Sequence, residues 1–324
     1  MPHQHPDPHQ QPLRPSRRAF LKSTAAAPLA AAVCRASTAL ATPAASPAAT
    51  AAQMAGGSPK KSVLYSMLPK DLPVADRFKI AIDAGFVGVE MHTEPDKAQA
   101  EQVRVAADKT GLKIHSVMNA DHWKYPLSSV DPAVVLKSVD GMETSLRNAA
   151  LWGANNVLLV PAVVDAVTSY GDAWVRSQRV IKSRILPLAT ELKIVVAIEE
   201  VWNKFLLSPL EMARYVDELD SPWVRCYFDV GNVVLYGFPQ DWIRTLGPRI
   251  VRVHLKDFKM DRRAGTFAWK NLGEGDIDWI EVRKAFTEIG YAGYMTTEIE
   301  GGDAAYLKDV AARVDRFLAG QKPV

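Results

Sequence analysis

From Lys61 onward the chain alternates short apolar runs, rich in β-branched residues, with longer amphipathic stretches, eight times over. The runs fall at 63–67, 87–91, 113–118, 156–161, 194–199, 224–229, 250–255 and 293–299. Helical patterns separate and follow them, at 74–84 and at roughly 97–109, 132–152, 172–192, 209–219, 241–246, 279–289 and 304–318. In the first of these, Val74, Phe78 and Ile82 recur at helical spacing. Ser208 with Pro209 and Glu211, and Asp278 with Glu281, carry helix-start signals, while Gly85, Gly111 and Gly153 fall where helices should stop. Strict alternation calls for a parallel sheet, and eight units in about 260 residues match a single α/β (β/α)8 TIM barrel in size and order. The structural rival, a doubly wound open sheet, lacks support. No Gly-x-Gly-x-x-Gly follows the first run, and Gly273-Glu274-Gly275 is too short and lies in a loop.

The chain ahead of the barrel has a different character. Residues 1–15 are rich in Pro, His and Gln and show no apolar period. Ser16-Arg17-Arg18-Ala19-Phe20-Leu21-Lys22 then precedes a mildly apolar, alanine-rich run to Ala41. This stretch resembles a twin-arginine export signal, with Ala39-Leu40-Ala41 as a cleavage site. The implied division is 1–41 signal with a disordered start, 42–61 flexible linker and 62–320 barrel. The expected partner of the signal is the twin-arginine translocation machinery, and the expected location is periplasmic or secreted. Such a signal is a receptor-read address, and its apolar run is too short for a stable membrane anchor. If cleavage occurs, Cys34 is lost and Cys226 remains a lone thiol, so no internal disulfide is expected.

Charge narrows the ligand. The chain carries 39 Lys+Arg against 36 Asp+Glu. Residues 1–59 hold five of the basic residues (Arg14, Arg17, Arg18, Lys22, Arg35) and one acid, Asp7. Residues 60–324 therefore carry 34 basic and 35 acidic residues, a net −1. That body offers no electrostatic case for nucleic acid. An abasic-site endonuclease on the same barrel would need a His-rich site and a basic groove, and only four histidines follow residue 59.

In a barrel of this kind the working residues come from the C-terminal strand ends and the loops beyond them. Strand five ends in Ile198-Glu199-Glu200, strand six in Phe228-Asp229, strand seven in Val253-His254 and strand eight in Thr297-Glu298. Any one of these could be a solvated loop acid or a satisfied buried histidine. With four on consecutive strands, the neighbouring carboxylates would repel one another at a closed rim unless a cation lay among them. Three carboxylates and one imidazole suit one divalent metal ion, Mn2+ first with Mg2+ or Co2+ as alternatives, better than a thiolate-rich zinc site would.

The segments Ile198-Glu199-Glu200-Val201-Trp202-Asn203, Phe228-Asp229-Val230-Gly231-Asn232, Val253-His254-Leu255-Lys256-Asp257 and Thr297-Glu298-Ile299-Glu300 together resemble the xylose-isomerase-like barrel family. That sugar isomerase/epimerase superfamily includes ketose 3-epimerases, hydroxypyruvate isomerase and inosose dehydratase. The resemblance covers roughly residues 62–320. It implies metal ligands Glu199, Asp229, His254 and Glu298, with Glu199 and Glu298 doubling as the acid/base pair. Two departures bear on substrate. Asn232 stands where the epimerases place a substrate-binding histidine, and no arginine partner follows the His ligand.

The chemistry implied is proton abstraction beside a carbonyl through a metal-stabilised enediolate, giving epimerisation or isomerisation. The same carbanion could expel a β leaving group, so a lyase, deglycosidase or dehydratase acting on a 3-keto-glycoside or keto-inositol is the alternative. A sugar-binding protein without turnover is the alternative of another class. His115 is a further acid/base candidate because imidazole titrates near neutrality. Glu90, His92, Asn119, His122, Trp123, Asn232 and Lys256 are candidate substrate-binding residues, and Tyr65, Trp202 and Phe258 candidate apolar walls. Asp303 at the start of the last helix argues against phosphate after Gly301-Gly302, so an unphosphorylated sugar, keto-sugar or keto-glycoside is expected. Oligomeric state is left open.

Overall fold

The computed structural model describes residues 57–119, 121–261 and 263–324; the expected signal and most of the expected linker lie outside the described residues. Eight strands close into a parallel barrel: β1 (Lys60–Leu64), β2 (Gly88–His92), β3 (Lys113–Met118), β4 (Asn156–Leu159), β5 (Val195–Glu199), β6 (Val224–Asp229), β7 (Ile250–Leu255) and β10 (Tyr294–Thr297), in the order β1-β10-β7-β6-β5-β4-β3-β2. Between β7 and β10 lies an antiparallel hairpin, β8 (Asp257–Asp261) with β9 (Thr266–Lys270). The helices are α1 (Val74–Ala84), α2 (Lys97–Thr110), α3 (Pro132–Trp152), α4 (Tyr170–Val180), α5 (Leu186–Leu192), α6 (Pro209–Glu218), α7 (Pro239–Leu246), α8 (Trp279–Glu288) and α9 (Ala304–Leu318). This is the TIM barrel the alternation predicts.

Local chemistry explains the boundaries. Asp96, Asp131, Ser169, Ser208, Asp278 and Asp303 each accept a backbone N–H from the first turn of the helix they begin. Gly85, Gly111 and Gly153 close helices with φ of 96°, 77° and 73°, the left-handed cap that favours glycine. Every residue of β5 and β6 is buried, as strands covered on both faces must be. Period two then sorts their side chains. Phe228 meets Trp242 of α7 and Phe286 of α8 outside the sheet, each with ring centroids 6.4 Å apart. Its neighbours Tyr227 and Asp229 turn inward, Tyr227 reaching across to Glu90 on β2. Fully excluding side chains such as Val157, Val196, Ile198 and Phe228 stabilises the barrel by roughly 1.5–3 kcal/mol apiece.

Three elements differ from expectation. The first strand runs Lys60–Leu64 rather than 63–67, because its ladder pairs Lys60 with Tyr294 and Leu64 with Glu90. Tyr65–Met67 turns instead into a short 3-10 segment, and Gly302 donates its N–H to the Met67 carbonyl. The apolar run continues past the last paired residue, so hydrophobicity alone misplaces the strand. The helix expected over 172–192 is broken by a π turn, Ile181–Ile185, just before Pro187 near the start of α5. Proline supplies no N–H and crowds the preceding turn, which widens the ladder there. The hairpin was not expected at all, and it becomes part of the site.

Candidate metal centre

Glu199 ends β5, Asp229 ends β6, His254 lies one residue before the end of β7, and Glu298 directly follows β10. One ligand atom from each lies within 4.8 Å of all the others. His254 Nδ1 is the hub: it stands 2.8 Å from Glu199 Oε1, 3.2 Å from Glu298 Oε2 and 3.7 Å from Asp229 Oδ2. The first three residues are buried, and the Glu298 side chain is one-quarter exposed. Sequence reasoning named all four, and the fold brings them together.

Each group is oriented from behind. Asp229 Oδ1 accepts the N–H groups of Gly231 and Asn232 at 2.8 and 2.9 Å, turning Oδ2 into the cluster. That buried oxygen faces His254 Nδ1 at 3.7 Å and has Lys256 Nζ at 2.8 Å as its partner. On the far side of the imidazole, His254 Nε2 is 2.7 Å from Glu90 Oε2. Glu90 also accepts from Ser116 Oγ at 2.5 Å and from the Tyr227 hydroxyl at 2.9 Å. A carboxylate behind a histidine holds the Nε2 proton, so that Nδ1 would offer its lone pair to a cation in the cluster. Three converging carboxylates and one imidazole nitrogen, with one ligand atom of each within 4.8 Å of the others, fit a divalent cation of the Mn2+ or Mg2+ type.

The charges respond to this crowding. Burial pushes Glu199 up to about 7, opposed by the neighbouring His254. Burial also raises Asp229, against the pull of Lys256. For Glu298 burial acts upward too, yet His254 and Lys256 together outweigh it and hold the carboxyl down at about 2. His254 is penalised by burial but is raised well above the ordinary imidazole value by Glu298, Glu90 and Glu199. Lys256 Nζ lies 2.7 Å from Glu298 Oε2 and 2.8 Å from Asp229 Oδ2, so the lysine supplies positive charge to the same oxygens. Gly231 makes room for it, since a Cβ there would sit 2.6 Å from Lys256 Cγ.

The remaining expected site residues divide. His122, Trp123, Asn232 and Lys256 line a cavity of about 300 Å3 against Glu199 and Glu298, with Met118, Val201, Trp202 and Trp269 completing its wall. Burial lowers His122 to about 4, leaving it neutral near pH 7. The Asn232 amide donates to the Glu200 carbonyl at 2.9 Å. His92 ends β2 half-buried, with Nδ1 lacking a hydrogen bond. Asn119 is buried, and its carbonyl contacts His122 Nδ1.

Three expectations are corrected. Glu90 is not a substrate contact: it is fully buried beneath His254, because period two turns it inward to the ring. His115 does not join the acid/base pair. Its ring stacks on Tyr294 at 4.2 Å, and Arg252 donates to its Nδ1 at 3.2 Å. Burial, then Arg252 and His254, hold it well below the ordinary histidine value, so it stays neutral. Tyr65 packs on the Arg77 guanidinium at 3.5 Å and forms no wall of the cavity.

The hairpin supplies what sequence reasoning missed. Trp202 meets Phe258, Phe267 and Trp269 at centroid distances of 5.5, 4.8 and 5.0 Å, an aromatic cluster spanning the β5 loop and the hairpin. Asp257 anchors it. Its carboxylate accepts from Phe258 N, Gly273 N and Trp279 Nε1, each at 2.8 Å, and pairs with no lysine. The alternation Thr266-Phe267-Ala268-Trp269-Lys270 after Gly265 is the signal that could have revealed the second strand.

A closed parallel barrel bearing a Glu-Asp-His-Glu set on four adjacent strand ends defines a class of barrel proteins with a metal-type site. The chain belongs to the xylose isomerase-like TIM barrel family, which it matches over residues 78–316. SgbU of Escherichia coli strain K12, which carries the provisional name L-ribulose-5-phosphate 3-epimerase, is 28% identical over 72% of this chain and 85% of its own length. The L-ribulose-5-phosphate 3-epimerase UlaE of Salmonella paratyphi A is 24% identical over 74% of this chain and 88% of its own. Among solved structures, the 3-keto-D-glucoside 4-epimerase YcjR of E. coli superimposes with a TM-score of 0.66 at 17% identity, covering 79% of this chain and 99% of that one. The D-allulose 3-epimerase of Methylomonas sp. gives 0.63 at 18%, covering 75% and 85%.

The carboxylate behind His254 gives a direct test. Replacing Glu90 with Gln is expected to weaken Mn2+ binding by about 10–100-fold, measured by competition with a metal-sensitive dye. Unchanged affinity would show that Glu90 does not govern the imidazole.

Proposed function

We propose that the protein is a divalent-metal-dependent sugar epimerase or isomerase acting on an unphosphorylated ketose or keto-sugar. The observation that carries this reading is the convergence of Glu199, Asp229, His254 and Glu298, two of which, Glu199 and Glu298, line a sugar-sized cavity. The epimerase names of its relatives support the reaction class, with D-allulose and 3-keto-D-glucoside named for two of them and a phosphorylated pentulose for UlaE. A cation held by the four side chains supplies Lewis-acid polarisation of a carbonyl and its neighbouring hydroxyl, making the C–H between them acidic.

The chain's own residues do the rest. Glu199 and Glu298 stand on strand ends separated in the barrel by β6 and β7, so a sugar carbon between them meets one carboxylate on each side. Glu298, charged beside Lys256, is the carboxylate placed to take the proton, and Glu199 the one across the carbon to return it. Lys256 holds Glu298 in place and keeps it charged. Trp123, Trp202 and Trp269 offer ring faces to sugar C–H groups. The cavity does not gather the cations that a phosphate needs, since Lys256, the lysine on its wall, is already engaged by two carboxylates.

The test is NMR in D2O of a panel of ketohexoses and 3-keto-glucosides with the Mn2+-supplied protein. One deuterium at the carbon next to the carbonyl, with a new epimer, is expected. Release of a fragment would indicate elimination instead, and no exchange with any member would overturn the reading.

Export belongs to the same proposal and rests on Ser16–Lys22. Replacing Arg17 and Arg18 with lysine should leave the protein in the cytoplasm on fractionation. Unaltered export of that variant would remove the twin-arginine assignment.

A further inference from the structure

A second, larger cavity adjoins the cluster. The first, of about 300 Å3, lies over the ends of β3, β5 and β6. The second, of about 630 Å3, lies over β1 and β10 and is lined by Ser66, Asn271, Glu274, Glu300 and Tyr306 among others. The two share three residues, Lys256, Trp269 and Glu298. The reacting carboxylate and an indole thus form the partition between two chambers, each in or near the usual range for small-molecule sites, roughly 300–1,000 Å3.

We infer that the second cavity binds a neutral second sugar unit, so that the substrate is a two-ring keto-glycoside; this rests on the reading of the first cavity as a sugar epimerase site. One ring placed between Glu199 and Glu298 occupies the smaller chamber. A substituent on that ring passing the partition at Trp269 enters the larger one. The walls there are those that hydroxyl groups use. The Tyr306 hydroxyl donates to Asn271 Oδ1 at 2.8 Å, which orients the amide and leaves its NH2 as a donor. Glu274 is held by Arg313 at 2.9 Å, and its carboxylate can accept from hydroxyls. Trp269 is 41% exposed and provides a face for ring C–H groups.

Charge does not recruit anions. Glu274 is paired with Arg313, and Lys256 is already bound to Asp229 and Glu298, so Glu300 and Lys270 remain on the wall. A phosphate or carboxylate would meet no surplus of positive charge, whereas a sugar meets hydrogen-bond partners. The chamber is also built closely on the barrel. A Cβ on Gly301 would lie 2.6 Å from the Met67 carbonyl oxygen, so the loop after β10 is seated directly on the turn after β1. Glycine is needed there for that approach.

The experiment compares methyl 3-keto-glucoside, 3-ketocellobiose and phenyl 3-keto-glucoside as substrates for deuterium exchange by the Mn2+-supplied full chain. The two-ring sugar is expected to exceed the methyl glycoside in kcat/KM by about tenfold, and Asn271→Ala to cut that ratio severalfold. Equal values for the methyl and two-ring compounds, or a phenyl glycoside that surpasses both, would overturn the second-sugar site while leaving the epimerase reading intact. Absence of exchange with all three while a ketohexose exchanges would overturn the two-ring substrate, and absence with ketohexoses as well would overturn the epimerase reading. Binding of unoxidised cellobiose against methyl glucoside, followed by ligand-observed NMR, then decides the chamber by itself: preference for cellobiose that Asn271→Ala removes supports it, and no preference refutes it.

Discussion

Glu298→Gln is expected to slow substrate proton exchange by about 10²–10⁴-fold, the usual contribution of a positioned general base. Glutamine keeps the length and one carbonyl oxygen, so the side chain can still reach the cluster, but it cannot take a proton. The same change removes a partner of Lys256 and one negative charge near His254 Nδ1. Metal affinity should fall as well, and the rate is therefore to be read at saturating Mn2+ with bound metal measured in parallel. A variant that binds the metal and exchanges at the wild-type rate would exclude Glu298 as the base. His115→Gln is the useful contrast. Its ring is occupied by Tyr294 and Arg252 rather than by the cavity, so it should lower thermal stability and leave the exchange rate near wild type.

Metal loading should raise thermal stability strongly, and more so as the pH rises. The sign follows from the cluster. Folded Glu199 is raised from 4.5 to about 7, so across that interval the folded metal-free chain holds more protons than the unfolded one. Its stability therefore falls with increasing pH. His254 acts in the same direction: its contribution is complete below the ordinary value of 6.5 and is lost as the pH climbs through its raised folded value. Glu298, held at about 2, contributes stability above 4.5 that fades only in strong acid. A cation that displaces the extra protons cancels the loss at neutral and alkaline pH. At a thousandfold excess over its dissociation constant, Mn2+ should add about 4 kcal/mol, a rise in Tm of roughly 10 °C for a domain of this size. Melting curves between about pH 5 and pH 8, with Mn2+ and with a chelator, should show the metal-dependent gap widening upward. A gap that is absent, or that narrows with pH, would contradict the assigned ligands.

Most of the barrel was legible because its signals are local and repeated. Helix caps such as Ser208, Asp278 and Gly153 are read from one or two residues, and β6 runs over the expected residues, 224–229. The four strand-end groups were legible for a related reason, since a polar residue closing an apolar strand is costly unless it is used. What failed depends on long-range register. Whether Glu90 faces substrate or the ring of His254 is set by pairing across the barrel, 164 residues apart in sequence. His115 likewise meets Arg252 and Tyr294 only after closure. The hairpin was hidden because Phe267 and Trp269 are exposed to 53% and 41%, so its alternation is not backed by a buried face. Its anchor, Asp257, serves the backbone N–H groups of Phe258 and Gly273, a role set only once the loop has folded.

The central claim concerns where a cation sits, and anomalous scattering from a crystal of the Mn2+-loaded protein addresses it directly. One peak per chain is predicted, ligated by carboxylate oxygens of Glu199, Asp229 and Glu298 and by Nδ1 rather than Nε2 of His254. A peak elsewhere, coordination through Nε2, or no peak with the four side chains still converging would contradict the account.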